Sequence, residues 1–204
     1  PWLDWASLAI RWLHLAAGIA WIGTSFYFIW LDRSLRAREN LPKGVQGESW
    51  SVHGGGFYHV QKYAVAPEAM PDDLHWFKYE AYFTWLSGFA LLIVLYYFGA
   101  STYLIDSTRA DLTPTMAIGI SVAFLIGSWG LYEALCRSPI GRSTTVLASS
   151  VLVLILVSAF LLTQIFSDRA AFLHVGALIG TIMSANVFVA VSYTHLRAHE
   201  TIPD

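Results

Sequence analysis

Two histidines sit where an imidazole is costly. His14 lies in the apolar run Arg11-Trp12-Leu13-His14-Leu15-Ala16-Ala17-Gly18-Ile19-Ala20-Trp21-Ile22-Gly23, and His174 lies near the start of another apolar run. An ionisable side chain inside a run of hydrocarbon length is a functional feature by default. On a helix, His14, Gly18 and Trp21 share a face. A small residue one turn from an imidazole leaves room for a flat macrocycle beside the backbone. Neutral imidazole is an ordinary haem-iron ligand. The expectation is therefore a haem b, with His14 and His174 as iron ligands and Gly18 and Trp21 lining its pocket. The alternative is that each imidazole simply hydrogen-bonds a neighbouring helix.

A second cluster lies between the apolar runs. It reads His53-Gly54-Gly55-Gly56-Phe57-Tyr58-His59-Val60-Gln61-Lys62-Tyr63, then His75-Trp76-Phe77-Lys78-Tyr79-Glu80. Three glycines free the backbone to approach a ligand closely. The histidines, glutamine, lysine and aromatics could stack on and hydrogen-bond a flat polar substrate. The competing reading is a polar loop whose histidines face water, since most exposed polar residues carry no chemistry. His-Gly-Gly-Gly occurs in lipase oxyanion holes, but no G-x-S-x-G elbow accompanies it. No H-E-x-x-H, Walker A or G-x-G-x-x-G pattern is present either. Glu133 precedes Arg137 by four residues, the order that favours a helical ion pair, with a proton relay as the weaker option.

These side chains must be positioned by an unusually apolar chain. Its 204 residues are 56% hydrophobic and 13% charged, with a mean hydropathy of +0.53. A soluble domain carries roughly twice that charge. A net charge of −2 gives no electrostatic case for binding nucleic acid. The single Cys136 excludes an internal disulfide and a C-x-x-C-H attachment of c-type haem. Five runs come near the roughly 20 residues needed to cross a bilayer: about 5–31, 81–100, 114–135, 145–166 and 170–193. Backbone polar groups cannot stay unpaired in lipid, so these runs are expected as helices in an all-α, polytopic membrane bundle. Thr113-Pro114 marks a helix start, and Ser143 and Asp168 are expected as caps. No run contains an internal proline or a visible break. Trp2, Trp5, Trp12 and Trp30 suit the two interfaces. Gly119, Ala123 and Gly127, and likewise Gly176, Gly180 and Ser184, form stripes that would let helices approach closely.

The connection 32–79 holds Arg33, Arg36, Arg38, Lys43, Lys62 and Lys78. The positive-inside rule places it in the cytoplasm and the N-terminus outside. Residues 1–191 then form one membrane-embedded helical domain. The string 192–204 lacks a cap or an amphipathic pattern and resembles a translated sequencing adapter, so His195 and His199 are set aside as ligands. A start on Pro1 points to a fragment.

Longer blocks make the chain recognisable. Arg-Trp-Leu-His (11–14), Gly-Ile-Ala-Trp-Ile-Gly-Thr-Ser-Phe-Tyr-Phe (18–28), Leu-Asp-Arg-Ser-Leu (31–35) and His-Gly-Gly-Gly-Phe-Tyr-His-Val-Gln-Lys-Tyr (53–63) resemble the bacterial membrane-bound urate oxidase (urate hydroxylase) family. Leu-His-Trp-Phe-Lys-Tyr-Glu-Ala-Tyr (74–82), Thr-Trp-Leu-Ser-Gly (84–88), Tyr-Leu-Ile-Asp (103–106) and Thr-Ile-Met-Ser-Ala-Asn-Val (181–187) continue the resemblance. It implies an eight-helix inner-membrane protein ending in a cytochrome c domain, of which the last three helices and the c-type haem are missing here. It also implies oxidation of urate to 5-hydroxyisourate, with electrons passed to cytochrome c and not released as hydrogen peroxide. On that reading His53, His59 and His75 are the catalytic group, and Gln61, Lys62 and Tyr63 bind the substrate. The expected partners are the bilayer, urate and cytochrome c. Two other readings stay open: a haem b electron carrier without its own organic substrate, and a proton-coupled transporter.

Overall fold

A computed structural model describes residues 2–65, 67 and 73–191. The string expected to be non-native, with His195 and His199, lies outside the described residues. Among these residues, five helices are long and apolar enough to cross a membrane. They run over Trp2–Ser34, Lys78–Tyr97, Pro114–Arg137, Thr144–Ile165 and Asp168–Val189, and their α-helical parts are α1 (Trp2–Ser34), α2 (Lys78–Leu92), α3 (Pro114–Arg137), α4 (Thr144–Ile165) and α5 (Asp168–Asn186). The fold is an all-α bundle, apart from one small antiparallel hairpin of β1 (Val45–His53) and β2 (Gly56–Tyr63).

The helix starts follow local chemistry. Thr113 accepts from the Met116 N–H ahead of Pro114, and Ser143 accepts from the Val146 N–H. The expectation of Asp168 as a cap is corrected. Ser167 caps α5 by accepting from the Ala170 N–H, and Asp168 occupies the first helical position. There its charge meets the helix dipole and the Arg109 guanidinium, 2.6 Å away.

The second run is not one uninterrupted helix, contrary to expectation. After Leu92 the backbone widens, and Phe98 N–H donates to the Ile93 carbonyl five residues back. A second wide turn closes from Ile105 N–H to the Ala100 carbonyl. Gly99 stands between them, where an added Cβ would meet the Leu95 carbonyl at 2.8 Å. The widened turns aim Tyr96 and Tyr97 at the bundle interior; such bulges inside helices favour functional positions.

The core lies among α2, α3, α4 and α5. Leu104, Leu162, Phe166, Ala170 and Leu178 are fully enclosed there. Buried serines mark close approaches: Ser121 of α3 meets His174 of α5, and Ser184 of α5 reaches the Ala81 carbonyl of α2. Lipid offers no hydrophobic drive between helices, so such small residues and their hydrogen bonds carry much of the association. The expected small-residue stripe on α3 does not do this. Gly119, Ala123 and Gly127 are exposed, and Ala117, Ser121, Leu125 and Ser128 face inward instead.

The two ends of the bundle are distinct. Ser167 N–H donates to the Leu104 carbonyl and Ile105 bridges to Phe166. Arg109 donates to the Thr163 and Phe166 carbonyls at 2.7 and 3.0 Å. The connection 105–113 is thereby fastened to the α4–α5 turn at one end. By helix alternation, the hairpin and the 138–143 turn lie at the other.

Candidate functional site

The structure separates the proposed residues into three places. The first is the face between α1 and α2. His14 Nδ1 lies 3.0 Å from the Thr84 carbonyl and 3.1 Å from Ser87 Oγ. A carbonyl only accepts, so Nδ1 carries the proton, and the lone pair belongs to Nε2. Ser87 directs its own proton to the Phe83 carbonyl at 2.6 Å. Gly88 lets the ring in, since a Cβ there would come within 2.9 Å of His14 Cε1. Thr84, Ser87 and Gly88 thus form one face of α2 shaped to this imidazole. Their i, i+3, i+4 spacing was visible in the sequence, but nothing tied it to His14.

His14 also lines a cavity of about 960 Å3 framed by α1, α2 and α5. Trp21 lines it as well, while a Cβ added at Gly18 would meet the Thr84 methyl at 3.9 Å. On the opposite wall, Gly176 and Gly180 line the cavity, and a Cβ on either would meet nothing within 4 Å. The expectation that these two glycines draw another helix close is corrected: they leave the cavity open.

His174 is a separate feature. It is 1% exposed and is turned toward α3. Its Nδ1 donates to the Ala170 carbonyl at 2.7 Å, so Nε2 accepts from Ser121 Oγ at 2.6 Å. That uses the serine's only proton, and Tyr97 must then donate to Ser121, 2.9 Å away. The result is a directed chain from Tyr97 through Ser121 and His174 to the backbone. His174 is not among the cavity-lining residues, so the structure does not bring His14 and His174 to one centre.

The third place is the hairpin. Gly54 and Gly55 have φ of +57° and +81°. Positive φ at both central positions is what a tight two-residue hairpin turn of the favoured hand requires. The glycine run is accounted for by this turn. Pairing of Trp50 with His59 and of Glu48 with Gln61 puts these four side chains on one face. His53 and Lys62 fall on the other face. His59 Nε2 meets Glu48 Oε2 at 2.7 Å, and its ring stacks on Trp50 with centroids 4.2 Å apart. Arg38 reaches the other Glu48 oxygen at 3.2 Å. The His59 hydrogen bond, followed by the charge of Arg38, holds the Glu48 carboxyl below the ordinary glutamate range against the opposing effect of burial. Glu48 was not anticipated from the sequence. The register that places it diagonally to His59 depends on the turn.

The remaining proposed residues are dispersed. Lys62 Nζ pairs with Asp32 Oδ1 at 2.7 Å, tying β2 to the end of α1. Tyr63 closes β2 opposite Val45. His75 lies at the foot of α2, with Nε2 3.6 Å from Glu80 Oε1. Glu133 pairs with Arg137 at 2.7 Å, as the spacing predicts. Among the described residues, no group of three or more His, Cys, Asp or Glu is placed to hold a metal ion.

The described residues thus form an apolar helical bundle with a cavity lined in part by one imidazole and, apart from it, a carboxylate–imidazole pair on the hairpin. The family model described as urate oxidase N-terminal matches residues 1–194, and the chain belongs to that family. Membership links it to urate oxidation and so to oxidoreductase chemistry. No curated protein and no solved structure matches it.

Proposed function

We propose that this chain is the membrane-embedded part of a bacterial inner-membrane enzyme that oxidises urate to 5-hydroxyisourate and passes the electrons to cytochrome c. The family match over 1–194 carries this reading. The five apolar helices support a bilayer setting, and the Lys and Arg of 32–79 favour a cytoplasmic hairpin with the N-terminus in the periplasm.

Urate is a flat, electron-rich anion. Its conversion adds water at one ring carbon and releases two protons and two electrons. The reaction needs a base and an electron acceptor. His59 is the base in this reading. Glu48 and Trp50 fix its ring, and the Glu48 carboxylate stabilises the imidazolium that proton transfer creates. With Nε2 committed to Glu48, Nδ1 is the nitrogen left to take the substrate's proton. Gln61, on the same face, supplies donor and acceptor groups for a urate carbonyl and ring N–H, and Tyr63 borders them. His53, Lys62 and His75 stand outside this cluster, so the proposed site is narrower than the sequence pattern.

Membranes containing an intact homologue should couple urate loss to cytochrome c reduction without hydrogen peroxide. His59→Ala should lower kcat about 10²- to 10⁴-fold, the usual contribution of a positioned base. Single His53→Ala should retain most activity. Full turnover in the His53→Ala, His59→Ala double variant would rule the hairpin out as the site.

A further inference from the structure

We propose that the cavity framed by α1, α2 and α5 is a haem b site, with His14 Nε2 as the axial iron ligand and Arg11 and Arg169 pairing with the two carboxylates. The inference adds a resident redox group to the urate reading and rests on that reading only for the group's purpose.

Three observations converge. The first is the imidazole itself. Its Nδ1 proton is committed to the Thr84 carbonyl, which fixes both ring orientation and tautomer. Metal-bound histidines are held in this way, with the far nitrogen free to ligate. Nε2 has no hydrogen-bond partner among the described residues.

The second is shape and polarity. About 960 Å3 lies at the upper end of the range for small-molecule sites. The walls are largely apolar, with Trp21, Trp85 and Phe89 among them. Trp85 and Phe89 stack with their planes only 4° apart, an aromatic pair in that wall. Gly176 and Gly180 leave bare backbone opposite. Urate, small and polar on every edge, would leave most of this space unfilled.

The third is charge. Arg11, Arg169 and Asp168 line one end of the cavity; Asp168 is taken by Arg109 at 2.6 Å, and Arg169 lies over the Tyr103 ring at 5.8 Å, so neither Arg11 nor Arg169 is ion-paired among the described residues. Arg11 is one turn before His14, and Arg169 is in the first turn of α5. Both therefore sit toward the same end of the bundle. Two cations at one end of an apolar slot, with an imidazole one turn deeper, match a macrocycle carrying two carboxylates on one edge. A neutral quinone could accept hydrogen bonds from these guanidinium groups but would leave both charges without a counter-charge.

The test uses the full chain purified in detergent and titrated with hemin, with urate absent. The wild type should bind about one hemin per chain and show the spectrum of an imidazole-ligated iron. His14→Gly should lose that spectrum and regain it with added imidazole, a rescue that a purely structural role would not give. Arg11→Ala and Arg169→Ala should each weaken hemin binding about tenfold or more, the scale of a lost charge-assisted hydrogen bond. Gly180→Leu should block binding while the protein keeps its helical content and elution volume. His174→Gln should leave the spectrum unchanged. No imidazole-ligated spectrum in the wild type, or an unaltered one in His14→Gly, overturns the site. Loss of the spectrum in a folded His174→Gln variant overturns the ligand assignment. Hemin binding without any urate oxidation by the intact homologue would leave this site standing and remove the urate reading. Urate turnover in hemin-free protein would do the reverse.

Discussion

At the scale of single residues, position decides what an imidazole can do. The described histidines differ less in type than in which nitrogen is engaged. His14 has a donor nitrogen fixed and an acceptor nitrogen open, His174 has both satisfied, and His59 leans on a carboxylate. The His59–Glu48 pair has a definite pH signature. The folded protein holds Glu48 below its ordinary value, chiefly through the His59 hydrogen bond. Its stabilising contribution is therefore complete above the ordinary glutamate range and fades as pH falls through the lowered folded value. Acid should loosen the hairpin root at a pH where Glu48→Gln is already loosened. Amide exchange in 45–63, followed from neutral to acidic pH, should show protection falling in the wild type and a flatter profile in the variant. Gly88→Ala should be costly for a different reason. Its methyl would press on a ring whose Nδ1 is pinned, and overpacking of this kind costs about 1–3 kcal/mol. Thermal unfolding in detergent should register that loss, together with a displaced His14.

At the scale of elements, the legible and illegible parts of the sequence separate cleanly. Helix starts at Thr113 and Ser143 were readable because a capping oxygen followed by an apolar run is a local signal. The α5 cap was misread by one residue because Ser167 and Asp168 both qualify, and only the backbone decides between them. The Glu133–Arg137 pair was readable from spacing alone. The hairpin was not read, because its glycines suggest ligand approach as readily as a turn, and the pairing that sets Glu48 beside His59 is non-local. The wide turns after Leu92 left no proline to betray them. The connection between α2 and α3 is held chiefly by Arg109, which contacts two carbonyls as well as Asp168. Arg109→Ala should destabilise by about 1–2 kcal/mol, because charge-assisted bonds to backbone are lost. Asp168→Asn should cost within about 0.5 kcal/mol, since that carboxylate is 88% exposed and its ion pair is screened by solvent. Paired thermal melts would separate the two.

At the scale of the whole molecule, the bundle has two chemically different ends. With Cys136 replaced by Ala, Ser107→Cys and Val52→Cys should react with impermeant thiol reagents from opposite sides of sealed membranes. Labelling of both from one side would contradict the alternation of the five helices. The overall bundle was foreseeable because charge-free runs of bilayer length permit little besides helices. The cavity was not foreseeable. It exists because Gly176 and Gly180 face an opening instead of a neighbour, a choice that no stripe of small residues declares in advance.

Helix α1 buries only Ser7 and Leu31 along its 33 residues. It rests chiefly on α2, while α5 packs against α2, α3 and α4. The slot holding His14 is consequently bounded on one flank by a helix that little besides α2 holds. In a bilayer, such a seam faces acyl chains sideways. A greasy guest would be drawn from the lipid reservoir, so its occupancy would follow its partitioning into membrane and not its abundance in the surrounding water.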